Sequence, residues 1–107
     1  MNIQIKKGVI ELCAFAILSE RDCYGYELAE TISNHIEISE GTIYPLLRRL
    51  TREGYFTTYL QESSEGPPRK YYKITDRGIE YKKTLLNDWN DLIKGVNELI
   101  EECESDE

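Results

Sequence analysis

Apolar residues recur at helical spacing in four stretches of the chain and alternate in two others. This predicts an α+β fold, mainly α. In Lys6 to Glu20, Val9, Ile10, Leu12, Cys13, Phe15, Ile17 and Leu18 cover more than one face, with Ala14 and Ala16 between them. A helix that is apolar nearly all round is buried on more than one side. In so small a domain, one of those sides is expected to meet a second subunit. Arg21 to Cys23 reads as a polar break. Tyr24 to His35 reads as a second helix, with Leu28, Ile32 and Ile36 inward and Glu27 and Glu30 outward. Gly25 near its start permits close approach of another backbone.

The stretch Ser39 to Gly54 reads as a third, short helix with a start, two faces and a stop. Ser39 is its expected N-cap, and Gly54 the left-handed residue that ends it. Ile43, Leu46, Leu47 and Leu50 make the apolar stripe. Thr42, Tyr44, Arg48, Arg49 and Arg52 fall largely to the other side. Pro45 cannot donate a hydrogen bond and biases Tyr44 away from helical geometry. Regular helix is therefore expected from near Thr42, with Ser39 to Gly41 as a lead-in turn.

Tyr55 to Gln61 and Arg69 to Ile74 are rich in aromatic and β-branched residues. The polar, Gly- and Pro-containing segment Glu62 to Pro68 lies between them. This predicts a β-hairpin with a long tip. Thr75 or Asp76 can cap a last helix running to about Cys103. In it Leu86, Trp89, Ile93, Val96, Ile100 and Cys103 follow alternating steps of three and four, which is a coiled-coil seam. Leu85, Leu92 and Leu99 widen it. Such a helix is about 40 Å long and cannot pack along its length on so small a domain. Residues 1–75 are expected to form one unit and residues 76–107 a dimerisation helix with an acidic tail. Val9, Leu12, Leu86, Trp89, Ile93, Val96 and Ile100 are the expected dimer contacts.

Composition adds a charge asymmetry. The 107 residues carry a net charge of -7, which taken alone argues against nucleic acid. However, residues 39–83 hold nine Lys or Arg against six Asp or Glu, and residues 98–107 hold six acids and no base. The middle is basic and the tail acidic, so the global charge misleads. Cys13, Cys23 and Cys103 are odd in number and lack metal-ligand spacing, as expected of reduced thiols in a cytoplasmic protein. Lys6 and Lys7 precede a run without a cleavage site, so no signal peptide is expected. The apolar run Val9 to Leu18 is too short to span a bilayer.

Two helices joined by a short turn, followed by a hairpin, have the order of a winged helix-turn-helix. Hydroxyls at the start of the third helix and guanidinium groups further along suit phosphates and base edges, because both donate hydrogen bonds to them. Arg69 and Lys70 stand where a wing touches a backbone or minor groove. A winged-helix module that meets a protein instead of DNA is the rival reading. An enzyme is disfavoured: the chain has one His and no Gly-rich phosphate loop, nucleophile–base motif or metal set. No cofactor is expected.

Three linked motifs carry a family resemblance. They are Tyr24-Gly25-Tyr26-Glu27-Leu28; Ser39-Glu40-Gly41-Thr42-Ile43-Tyr44-Pro45-Leu46-Leu47-Arg48-Arg49-Leu50 with Glu53-Gly54; and Arg69-Lys70-Tyr71-Tyr72-Lys73-Ile74-Thr75 with Gly78. In this order they resemble the PadR family of transcriptional regulators, in the small subclass with a single C-terminal helix. The resemblance implies a dimeric repressor that binds palindromic double-stranded operator DNA, often near its own gene, and in some members releases it on binding a small molecule. It implies DNA contacts at Tyr24, Ser39, Gly41, Thr42, Tyr44, Arg48 and Arg49, and at Arg69 and Lys70 on the wing. Multidrug-sensing members carry a tryptophan on the last helix that lines a pore at the dimer centre and stacks on flat ligands. Trp89 matches that position. Asp88 and Asp91 beside it suit a cationic aromatic ligand, and they equally suit a solvated surface. Trp89 packed simply in the dimer core is the alternative. The Gly66-Pro67-Pro68 wing tip departs from the Gly-rich tips of many members.

Overall fold

The computed structural model describes residues 3–105. The elements in chain order are α1 (Ile3–Glu20), β1 (Cys23–Tyr24), α2 (Gly25–His35), α3 (Glu40–Arg52), β2 (Phe56–Ser63), β3 (Gly66–Ile74) and α4 (Asp76–Ser105). The three strands form one antiparallel sheet in the order β1-β3-β2. This is a mainly helical α+β fold with a small sheet and a long last helix.

The core forms where the apolar faces converge. Ile10, Ala14, Phe15 and Leu18 from α1 meet Leu28, Ala29 and Ile32 from α2, and Ile43, Leu47 and Leu50 from α3. Cys23, Phe56 and Tyr72 close it from the sheet. Phe15 is the centre of an aromatic cluster, with ring centroids 4.8 Å from Phe56, 5.8 Å from Tyr55 and 5.5 Å from Tyr81. Tyr81 and Leu85 bring the first turns of α4 against this core.

Four local expectations are corrected by the structure. The polar break does not end in a helix start at Tyr24. Cys23 and Tyr24 form a short strand instead, paired with Tyr72 and Tyr71. Pairing with β3 holds Tyr24 extended, so α2 starts one residue later, at Gly25. Ser39 makes no side-chain cap; its hydroxyl meets the Thr42 hydroxyl at 3.0 Å, while the Thr42 N–H donates to the Ser39 carbonyl. Helix α3 starts at Glu40 and carries Pro45 in its interior. The proline ring's clash falls on the carbonyl four residues back, which is that of Gly41, the residue with the least restricted backbone.

The fourth correction concerns the wing. Its tip is short, because β2 runs on to Ser63, which pairs with Gly66. Only Ser64 and Glu65 form the turn. The pairing register shifts between Gln61 and Ser63, opposite Pro67 and Pro68. Proline cannot donate to a ladder and is tolerated where the pairing is irregular. That bulge is what lets a Pro-Pro pair lie in a strand.

The corner after α3 follows the expectation for Gly54, whose φ is 88°. The Tyr55 N–H donates to the Leu50 carbonyl and the Gly54 N–H to that of Thr51, each at 3.0 Å. This is a Schellman ending, which satisfies carbonyls that the helix leaves free. The Thr75 hydroxyl then joins two elements. It donates to the Gly54 carbonyl at 2.7 Å and accepts the Gly78 N–H at 3.1 Å, which caps α4. Helix α4 has 30 residues. Beyond its packed first turns it exposes Leu92 and Leu99 (61% each) and Val96 and Ile100 (47% each). No described helix is long and apolar enough to cross a membrane.

Candidate nucleic-acid interface

Helix α3 presents its cations on the side away from the core. Arg48 and Arg52 are exposed, as are Gly41 and Pro45. These four recur at spacings of three and four and so share one helix face. Thr42 is half-buried, with its hydroxyl against that of Ser39. A Cβ added at Gly41 would meet nothing nearer than the Ser39 hydroxyl at 3.9 Å. The fold itself therefore does not require glycine there.

Arg49 differs from its neighbours. Its guanidinium donates to both carboxylate oxygens of Glu53 at 3.2 Å and to Glu11 on α1 at 3.5 Å. Burial opposes its charge, but the two carboxylates outweigh that cost and hold its pKa above the usual value. It is an engaged cation where the sequence pattern suggested a free one.

Tyr44 is half-buried and wedges toward α2. A Cβ added at Gly25 would lie 3.2 Å from the Tyr44 ring, so the glycine at the start of α2 makes room for it. Burial, and then the Glu40 carboxylate, push its phenol up. Tyr72 is the core member of the adjacent tyrosine pair, at 5% exposure. Burial pushes its phenol up too, while the nearby Arg48 cation opposes the shift. The Lys70 ammonium lies 5.6 Å from the centre of the Tyr72 ring. Cations of the recognition-like helix and of the wing thus gather around one buried tyrosine.

The outer face of the sheet carries a row of rings. Tyr71 pairs across the strands with Tyr24 on one side and Tyr59 on the other. Tyr59 stacks on Tyr71 at 5.6 Å, and Tyr24 lies 5.7 Å from it on the opposite side. Tyr26 stacks on Tyr24 at 6.4 Å. Arg69 folds onto this row, with its guanidinium 4.5 Å from the centre of the Tyr24 ring. Tyr59 donates to Asp22 at 2.7 Å, which fixes the far end of the row. Sequence reasoning missed Glu11 and Asp22, because each meets its partner across 38 and 37 residues with no local signal.

Trp89 and Ile93 are half-buried, whereas Leu86, Val96 and Ile100 are exposed. Val9 and Leu12 are half-buried on α1. Among the described residues no group of three or more His, Cys, Asp or Glu is placed to hold a metal ion.

Comparison with known proteins fits this geometry. The profile of the transcriptional regulator PadR-like family matches residues 15–84. The crystal structure of a PadR-like transcriptional regulator from Bacillus cereus is 42% identical. It superposes with a TM-score of 0.82, over 91% of this chain and 96% of that one. A Streptococcus mutans structure is 37% identical with a TM-score of 0.83, over 89% of each chain. A PadR family transcription regulator from Clostridium difficile is 31% identical with a TM-score of 0.77, over 85% of this chain and 97% of that one. The chain belongs to the PadR-like family, whose members are DNA-binding transcriptional regulators and not enzymes.

Proposed function

We propose that the chain is a dimeric, cytoplasmic transcriptional repressor that reads a palindromic operator. Residues 1–75 carry the DNA-reading unit, and residues 76–107 the dimerisation helix. The observation that carries this reading is the gathering of Arg48 from α3 and Lys70 from the wing around Tyr72. It supports a partner shared by the two elements. The start of α3, with Ser39, Gly41, Thr42 and Tyr44, enters the major groove. Arg48, Arg52, Arg69 and Lys70 supply contacts to phosphate, and Tyr24 lies under Arg69. Phosphate contacts give salt-dependent affinity, and base contacts at the helix start give sequence preference.

Dimerisation is supported by the unpartnered apolar strip on α4. Leu92, Val96, Leu99 and Ile100 are exposed there at spacings that place them along one side of the helix, as apolar residues at an interaction surface are. Val9 and Leu12, half-buried on α1, are further dimer contacts in this reading. A flat aromatic or cationic ligand stacking on Trp89 between two copies would release DNA if it prefers the arrangement in which the recognition helices are misplaced.

Two measurements test this reading. Light scattering is expected to return twice the chain's 12.5 kDa; a monomer overturns the dimer. Arg48→Ala and Arg69→Ala are each expected to reduce the salt slope of DNA binding by about one. Full tolerance of both would move the reading to a protein-binding module.

A further inference from the structure

Glu11 is an acid inside an otherwise apolar run of α1, between Ile10 and Leu12. Its side chain is 15% exposed. A carboxylate so placed needs a cation, because an unpaired charge at a half-dry site is costly. The cation comes from α3: Arg49 reaches Glu11 at 3.5 Å. Glu53, one turn further along α3, holds the other side of the same guanidinium at 3.2 Å. The fork geometry of arginine allows both acids to be bound at once.

A third helix closes on this ion group. Tyr81 of α4 stacks on Tyr55 at 4.3 Å and packs edge-on to Phe15 at 5.5 Å. Glu11, Arg49 and Glu53 are all near enough to act on its phenol. Arg77, on the turn before, lies over the other ring of that stack, 4.9 Å from the centre of Tyr55. The C-terminal half of α3 is thus joined to α1 and α4. In its N-terminal half, Gly41 and Pro45 are left exposed.

We infer that Arg49 is a positioning residue and not a DNA contact: with Glu11 it forms a strut that sets the tilt of the recognition helix against the dimerisation helices. This rests on the DNA-binding reading above. If Arg49 swung out to a phosphate, Glu11 would lose the ion pair it makes with Arg49 at 3.5 Å. Arg48 and Arg52 have no such tie among the described residues. In a dimer the tilt of α3 fixes the distance between the two recognition helices, hence the spacing between half-sites that the protein accepts. The strut therefore governs spacing selectivity and leaves the count of phosphate contacts alone.

The test uses the full chain, wild type, Glu11→Gln, Arg49→Gln and the double variant. Duplexes are selected by the wild type from a random pool, then remade with one base pair added or removed between half-sites. Glu11→Gln keeps the shape of the side chain and removes its charge, on a helix that touches no DNA on either account. Both single variants are expected to lose roughly tenfold of the wild-type preference for the selected spacing, and the double variant no more than either, as for residues acting as one unit. All four salt slopes are expected to be equal. A slope lower by about one in Arg49→Gln alone, with Glu11→Gln keeping the wild-type spacing preference, overturns the strut and makes Arg49 a phosphate contact. A wild-type chain that selects no duplex overturns the DNA-binding reading, and the strut with it.

Discussion

The guanidinium carbon of Arg69 lies over the ring of Tyr24, 4.5 Å from its centre. A wing cation is thereby tied to the strand that leads into α2. A cation held over an aromatic ring at a partly exposed site gains about 0.5–1 kcal/mol. If Arg69 meets phosphate in this pose, Tyr24 contributes by holding it there. Tyr24→Leu is expected to weaken DNA binding by about two- to fivefold, the equivalent of that energy. Tyr24→Phe is expected to retain most of the affinity. Equal losses in the two variants, measured by anisotropy, would mean that the Tyr24 hydroxyl acts on DNA directly.

Gly41 separates folding from binding. It sits in the first turn of α3 with open space where a side chain would go. Glycine in a helix costs up to about 1 kcal/mol relative to alanine. Gly41→Ala is therefore expected to raise or preserve the urea midpoint while weakening binding to the preferred duplex by tenfold or more, because a partner backbone or base edge approaches there. A variant with unchanged affinity would place the DNA elsewhere.

Gly78 behaves in the opposite way. A Cβ there would overlap the Tyr55 carbonyl oxygen and come within 2.7 Å of Ile74. The obstacle is backbone, which cannot turn aside, at the corner that Thr75 locks to Gly54. Gly78→Ala is expected to destabilise the fold by about 2 kcal/mol or more, in the upper range for overpacking. Urea denaturation at neutral pH reads this directly, and a loss under about 0.5 kcal/mol, as for an ordinary surface substitution, would contradict the packing described.

These contrasts mark what the sequence makes legible. The helices were legible because Ile43, Leu47 and Leu50, or Leu28 and Ile32, repeat at one period that a single buried face demands. Gly54 announced its corner because a positive φ follows from residue type. Strand β1 was hidden: two residues have no period, and only Tyr71 and Tyr72, far along the chain, make Cys23 and Tyr24 a strand. The short wing tip was hidden too, because Pro67 and Pro68 read as a loop until a bulge opposite them removes the need for their N–H groups. At the candidate interface, the tie between Arg49 and Glu11 is tertiary and leaves no local trace.

Alkaline pH provides an independent check on the core. Burial pushes the Cys23 thiol up from 9.0 to about 11, with Arg21 opposing and Glu27 and Asp22 adding to the shift. Burial raises the Tyr72 phenol beside it. Each group holds its proton more tightly folded than unfolded, so the unfolded state releases protons first as pH rises. Stability is expected to be flat below pH 9 as far as these groups matter and to fall between about pH 9 and 11. Cys23→Ala is expected to make that decline shallower, which urea midpoints from pH 7 to 10.5 would register. An unchanged slope would mean that the thiol is not held in the dry interior.

The most direct measurement is the anisotropy of two labelled duplexes of equal length, one from upstream of the protein's own gene and one scrambled, titrated across a range of salt. The account predicts a preference of roughly a thousandfold or more for the upstream duplex, with affinity falling steeply as salt rises. No binding to either duplex at low salt would contradict it.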